Sequence, residues 1–176
     1  MGSIHKPPVS NLALALKHAG GLKMFVETGT FQGDSLRWAS EHFERVWTIE
    51  ISPQYQAEAK AKVGPLPNVE FVLGNSADRL EQICGRLQGP ALFWLDAHAG
   101  AGFFGKEDNC PLIAELDACL SGASTGHCIL IDDARAFVAP PPPPFDYRKW
   151  PSLDEVIAVA LRDVVAQYTF QVRPRI

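Results

Sequence analysis

Six apolar runs of strand length punctuate the chain: MFVETG at 24–29, VWTIEI at 46–51, VEFVLG at 69–74, ALFWLDAH at 91–98, HCILIDDA at 127–134 and YTFQV at 168–172. Several are near-continuously apolar rather than alternating, as expected of strands covered on both faces. Stretches with helical spacing lie between them. In 33–43, Leu36, Ala39 and Phe43 share one face; in 75–87, Leu80, Ile83 and Leu87 recur three or four apart, with Asn75 or Ser76 as cap. The segment 52–63 offers Ser52 as N-cap and Pro53 in the first turn, and 110–120 and 151–165 also carry a proline at their start. Strand and helix alternating this regularly predict an α/β fold, a doubly wound, Rossmann-like and mostly parallel sheet with helices on both faces.

At 176 residues the chain is read as one domain over 1–176, with an N-terminal segment at 1–22 and a Pro-rich connector at 139–150. Five consecutive prolines in that connector hold it extended. A composition of 47% hydrophobic and 20% charged residues is ordinary for a globular protein. The net charge of −4, with no Lys/Arg block, argues against a dedicated nucleic-acid binder. No apolar run approaches the ~20 residues of a membrane span, and MGSIHKPPVS lacks a signal-peptide core, so a cytoplasmic protein with no membrane partner is expected. Cys84, Cys110, Cys119 and Cys128 form no CxxC pair and sit in or beside apolar segments, which predicts buried reduced thiols.

In a doubly wound sheet ligands collect at the carboxyl ends of the strands. Glu27, Glu50, Asp96 and the Asp132–Asp133 pair all fall there. The first strand runs into Thr28, Gly29 and Thr30 and a turn closed by Gly33, whose amides are expected to approach a ligand closely. The interval Thr30-Phe31-Gln32 between the glycines matches a pyrophosphate cradle poorly, and Glu27 suits a cationic ligand better than a phosphate. Glu50, about 20 residues beyond the turn, is placed to accept both ribose hydroxyls, and Asn75 and Ser76 to address an adenine edge. Together these describe an adenosine-containing ligand with a positive group.

If 91–98 and 127–134 are neighbouring strands, Asp96 meets Asp132 and Asp133 across one crevice. Carboxylates that close repel unless a cation is shared, and an oxygen-only donor set favours Mg²⁺, Mn²⁺ or Ca²⁺. His98, two residues past Asp96, is a candidate general base; a fourth metal ligand and a solvent-facing loop histidine are the alternatives. AGAGFFGKEDNC at 99–110 reads as a loop over the site. Arg135 either holds an anionic or carbonyl group or makes a structural ion pair.

FVETGTFQGDSL, VWTIEI, GNSADRL, FWLDAH, CPLIAEL and ILIDDAR, in that order, resemble class I S-adenosylmethionine-dependent methyltransferases, and more closely the metal-dependent sugar O-methyltransferases of the macrocin and novobiocin type. The resemblance covers roughly residues 22 to 137. It implies a seven-stranded sheet with one reversed strand, so six or seven strands are expected here. It implies that Glu27, Gly29 and Glu50 hold S-adenosylmethionine with Ser76 near its adenine. It further implies that Asp96, Asp132 and Asp133 bind the metal, Mg²⁺ by preference, and that His98 is the catalytic base. The implied reaction is in-line methyl transfer to a metal-held hydroxylate of a small molecule or sugar. RPRI ends the chain where a second strand of a terminal hairpin is expected, and an unfinished sheet edge would favour pairing with another chain. A nicotinamide-dependent oxidoreductase, a metal-dependent hydrolase and a non-catalytic adenosyl-binding scaffold are the competing readings.

Overall fold

A computed structural model of the chain describes residues 3–98, 110–139 and 146–162. In order the elements are α1 (Val9–Gly20), β1 (Met24–Thr28), α2 (Asp34–His42), β2 (Arg45–Glu50), α3 (Pro53–Val63), β3 (Val69–Leu73), α4 (Ser76–Cys84), β4 (Ala91–Leu95), α5 (Leu112–Ser121), β5 (Cys128–Ile131), α6 (Arg135–Val138) and α7 (Leu153–Arg162), with a 3-10 turn at Tyr147–Lys149. Five strands among the described residues form one sheet in the order β3-β2-β1-β4-β5, every pairing parallel. The sixth expected strand, at 168–172, lies outside the described residues, as do RPRI, the loop at 99–109 and prolines 140–144.

The near-continuous apolar runs follow from two cores, one on each side of the sheet. Successive side chains of a strand point to opposite faces. Phe25, Leu92 and Trp94 therefore join Ala13 of α1, Leu36 and Ala39 of α2 and Val63 of α3 in one cluster. Val26, Trp47, Phe93 and Leu95 join Leu80 and Ile83 of α4, Leu116 and Cys119 of α5 and Val156 of α7 in the other. This is the expected doubly wound arrangement, with helices on both faces.

Local signals place the helices as read. Ser52 caps α3, its Oγ accepting from the Tyr55 amide at 3.3 Å, with Pro53 at the first position. Asn75 caps α4, its Oδ1 accepting from the Ala77 amide at 3.1 Å. Two helices went unread in the sequence: α1, inside the segment 1–22, and the single turn of α6 just after Asp132–Asp133. No helix among the described residues is long and apolar enough to cross a membrane. None of the four cysteines forms a disulfide, and Cys84, Cys110 and Cys119 are buried.

The strand order positions the site. The chain winds outward from β1 through β2 to β3, then returns to place β4 on the other side of β1. The direction of winding reverses between β1 and β4, and such switch points open a crevice beyond the carboxyl ends of the strands.

Candidate functional site

Three predicted acids stand at or just beyond the carboxyl ends of adjacent strands: Glu50 on β2, Glu27 on β1 and Asp96 after β4. Glu27 is only 2% exposed. The Ser35 hydroxyl donates to its Oε1, and the Thr48 hydroxyl donates to its Oε2 at 2.9 Å. Because Thr48 has a single proton, the Thr30 hydroxyl, 2.5 Å away, must donate to Thr48. Burial pushes the Glu27 carboxyl up to about 7, against the pull of these hydroxyls and with the charge of Glu50 adding to the rise. Glu27 thus lies walled in beneath the turn.

The turn itself corrects one expectation. The amides of Gly29 and Thr30 both donate to the Ile49 carbonyl, at 2.9 and 3.2 Å, and the Gly33 amide donates back to the Thr30 carbonyl at 2.8 Å. The Phe31 amide donates to Glu50 Oε2 at 2.8 Å, with Phe31 itself at a φ of 45°. Four amides of the turn are committed to protein acceptors, because the end of β2 lies directly beside it. The turn is no phosphate cradle. Glu50 also accepts the Ser52 amide on Oε1 at 2.9 Å, so each oxygen is oriented by one amide and retains a lone pair for a further donor.

Gly29 and Gly33 are both left-handed, at φ values of 83° and 71°. A Cβ on Gly29 would stand 2.4 Å from the Asp96 carbonyl oxygen, which is why the turn can lie against the end of β4. Asp96 is held there by its amide, which donates to the carbonyl and hydroxyl oxygens of Thr28, both at 3.2 Å.

The predicted adjacency of 91–98 and 127–134 is observed: β4 pairs with β5, and the Asp132 amide donates to the Leu95 carbonyl at 3.1 Å. The strand stops at Ile131, so Asp132 and Asp133 lie in the turn after it, Asp133 at a φ of 47° and its amide donating to Asp132 Oδ1 at 2.8 Å. Asp96 feels both. Burial, then the charges of Asp132, Glu27 and Asp133, push its carboxyl up to about 9. Among the described residues no group of three His, Cys, Asp or Glu side chains is assembled to hold a metal ion, so the three acids share a field without forming a coordination set. Arg135 pairs with Asp133 at 3.3 Å while remaining 69% exposed, the ion-pair alternative.

His98 is no solvent-facing loop residue. Its side chain is 8% exposed, its Nε2 lies 3.4 Å from Asp96 Oδ1, and its ring stands 5.3 Å from that of Trp150. Trp150 packs in turn on Phe137 at 6.0 Å. Burial lowers the His98 pKa below its ordinary value, against the opposing charges of Asp133 and Asp132, so the imidazole is neutral at pH 7. Trp150 and Phe137 were not singled out in the sequence. They come from segments 39 or more residues downstream, and an aromatic in a Pro-rich connector gives no local sign of what it will cover. Asn75 spends its Oδ1 on the helix cap, and Ser76 is buried beside it at the first turn of α4.

No family model and no curated protein matches the sequence. Solved structures do. An O-methyltransferase from Bacillus cereus in complex with SAH is similar at a TM-score of 0.58 and 20% identity, over 89% of this chain and 67% of that one. TomG from Streptomyces achromogenes, an O-methyltransferase involved in tomaymycin synthesis and solved with SAM, gives 0.58 and 21%, over 89% and 66%. DesVI from Streptomyces venezuelae gives 0.52 and 14%, over 74% and 51%. The chain therefore spans about two-thirds of the length of the first two and about half of the third. At these identities the likeness concerns architecture: the chain has the fold of class I S-adenosylmethionine-dependent methyltransferases and resembles the O-methyltransferases among them.

Proposed function

We propose that the chain binds S-adenosylmethionine in the crevice between β1 and β4 and methylates a hydroxyl of a small molecule or sugar. The observation that carries this reading is the placement of Glu50, Glu27 and Asp96 at adjacent strand ends around the switch point, in a fold whose solved examples hold SAH or SAM. The donor chemistry fits the cofactor. Glu50 presents two amide-oriented oxygens with lone pairs for ribose hydroxyls, and a turn whose amides are already committed suits an adenosyl ligand without a pyrophosphate. That commitment also weighs against a dinucleotide oxidoreductase.

Bound S-adenosylmethionine supplies an electrophilic methyl on a positively charged sulfur. Asn75 and Ser76 border the adenine end, Thr28, Gly29, Thr30 and Gly33 shape the wall, and Asp96 and Glu27 are raised carboxyls whose charged forms a bound cation would favour. His98, kept neutral by burial, would take the proton of the acceptor hydroxyl as the O–CH3 bond forms and the S–CH3 bond breaks, the bonding pair returning to sulfur as a neutral thioether. Positioning of acceptor against donor supplies most of the rate.

A divalent cation, Mg²⁺ by preference, is a second reading, favoured by the push that Asp132 and Asp133 exert on Asp96. Asp96, Asp132 and Asp133 would be its ligands. Because the described residues do not assemble three donors, no step is routed through it.

Calorimetric titration of S-adenosylmethionine into the protein, without and with Mg²⁺, tests both. Micromolar binding supports the cofactor, and a separate Mg²⁺ heat lost in Asp132→Asn supports the metal. No binding in either condition returns the acids to a hydrolase or scaffold.

A further inference from the structure

His98 presents a physical problem that its role as a base does not explain. Both ring nitrogens are buried, and neither makes a hydrogen bond with the described residues; even the 3.4 Å approach of Nε2 to Asp96 lacks the alignment of one. Leaving both nitrogens unsatisfied costs free energy. It also leaves the tautomer undefined, and a base must keep the nitrogen facing its substrate unprotonated.

The same ring forms part of the wall of a small cavity at the carboxyl ends of β4 and β5. Leu95, Ile131 and Phe137 make its apolar side, and Glu115 of α5 is the carboxylate in its wall. Glu115 is 2% exposed, a rare placement for a glutamate. The cavity measures about 10 Å³, the room of one water. With Nε2 turned to the Asp96 side, Nδ1 is the nitrogen left to address it. A carboxylate has up to four lone-pair sites, so Glu115 can hold a water in addition to any other partner.

We propose that Glu115 is a positioning residue for His98, acting through one water that accepts the Nδ1 proton in a hydrogen bond and donates to the Glu115 carboxylate. The arrangement fixes the Nδ1–H tautomer and leaves Nε2 with its lone pair, on the side where Asp96 lies. Glu115 touches neither acceptor nor cofactor. This inference rests on the reading of His98 as a base, but its test needs no acceptor molecule.

The experiment is ¹⁵N NMR of the imidazoles in the full chain at pH 7.5, with His98→Gln assigning the resonances. The wild type is expected to show one His98 nitrogen of the protonated type at Nδ1 and one of the lone-pair type at Nε2. Glu115→Met is expected to abolish that separation, giving averaged shifts. Glu115→Gln, whose amide oxygen still accepts from a water, is expected to restore it. Circular dichroism and thermal unfolding establish that each variant is folded, and Glu115→Gln keeps the test available if Glu115→Met is not. Unchanged His98 shifts in Glu115→Met overturn the proposal. So does loss of the pattern in both variants, which would assign the effect to charge or packing. S-adenosylmethionine titration of the same samples reads the parent function separately: absent binding with an intact tautomer effect would sink the methyltransferase reading alone.

Discussion

Gly29 and Asp96 are packed so closely that one Cβ would close the gap: an added carbon on Gly29 would stand 2.4 Å from the Asp96 carbonyl oxygen. The turn that follows β1 is thereby held against the end of β4, and the crevice of the switch point takes its shape from that contact. Gly29→Ala is expected to lose about 3 kcal/mol of unfolding free energy, from the left-handed φ and the overpacking together. It should also lose cofactor binding. Gly21→Ala, also at a positive φ (60°) but with open space around it, reads the backbone term alone and should cost about 1 kcal/mol. Urea unfolding of the two variants checks both values.

The Glu27 carboxyl gives stability a pH dependence of unusual sign. Its folded pKa, about 7, lies above the ordinary 4.5, so between those values the native state binds more protons than the unfolded chain. The stability tied to this group is complete below pH 4.5 and is lost as pH rises through 7, by about 3 kcal/mol at most. His98 and His127, whose pKa values burial lowers, act in the opposite direction below pH 6.5. The difference between the wild-type and Glu27→Gln stability curves therefore reads Glu27 together with the share of the Asp96 rise that its charge supplies, and it should flatten only once pH has passed the Asp96 value of about 9.

Glu50→Gln keeps the side-chain shape but removes the charge that orients the Phe31 and Ser52 amides and would accept ribose hydroxyls. Hydrogen bonds to a charged group contribute about 1.5–3 kcal/mol, so the affinity for S-adenosylmethionine should fall roughly 10- to 100-fold. Calorimetry at pH 7.5 reads this directly.

His98→Gln should separate binding from turnover. Cofactor affinity is expected to stay at the wild-type level while methyl transfer falls by roughly 10²–10⁴, the usual contribution of a general base. Transfer of a labelled methyl to a panel of hydroxyl compounds measures the second quantity. Equal turnover in the variant would remove His98 from the chemistry.

The architecture was legible because its signals are local. Ser52 and Asn75 begin α3 and α4 where their side chains can meet the first free amides, and the five apolar runs within the described residues became the strands of one sheet with a core on each side. The placing of Glu27, Glu50 and Asp96 at strand ends followed from the same periodicity. Helix α1 was missed because its stretch carries no capping side chain, only Pro8 before it. The partners of the amides in the turn after β1 were not legible, because Ile49 and Glu50 lie about twenty residues away on the adjoining strand.

The sequence by itself therefore determined the order of elements and which chemistry stands at the end of each strand, since period, caps and turn glycines act over a few residues. Only the tertiary structure decided what those groups experience. The placing of Trp150 on His98, of Glu115 in the cavity wall and of Asp132 beside Asp96 depends on which distant segments come to share a desolvated space. Burial and the summed field of neighbouring charges, which carry Asp96 to about 9, are properties of that enclosure and of no single stretch of chain.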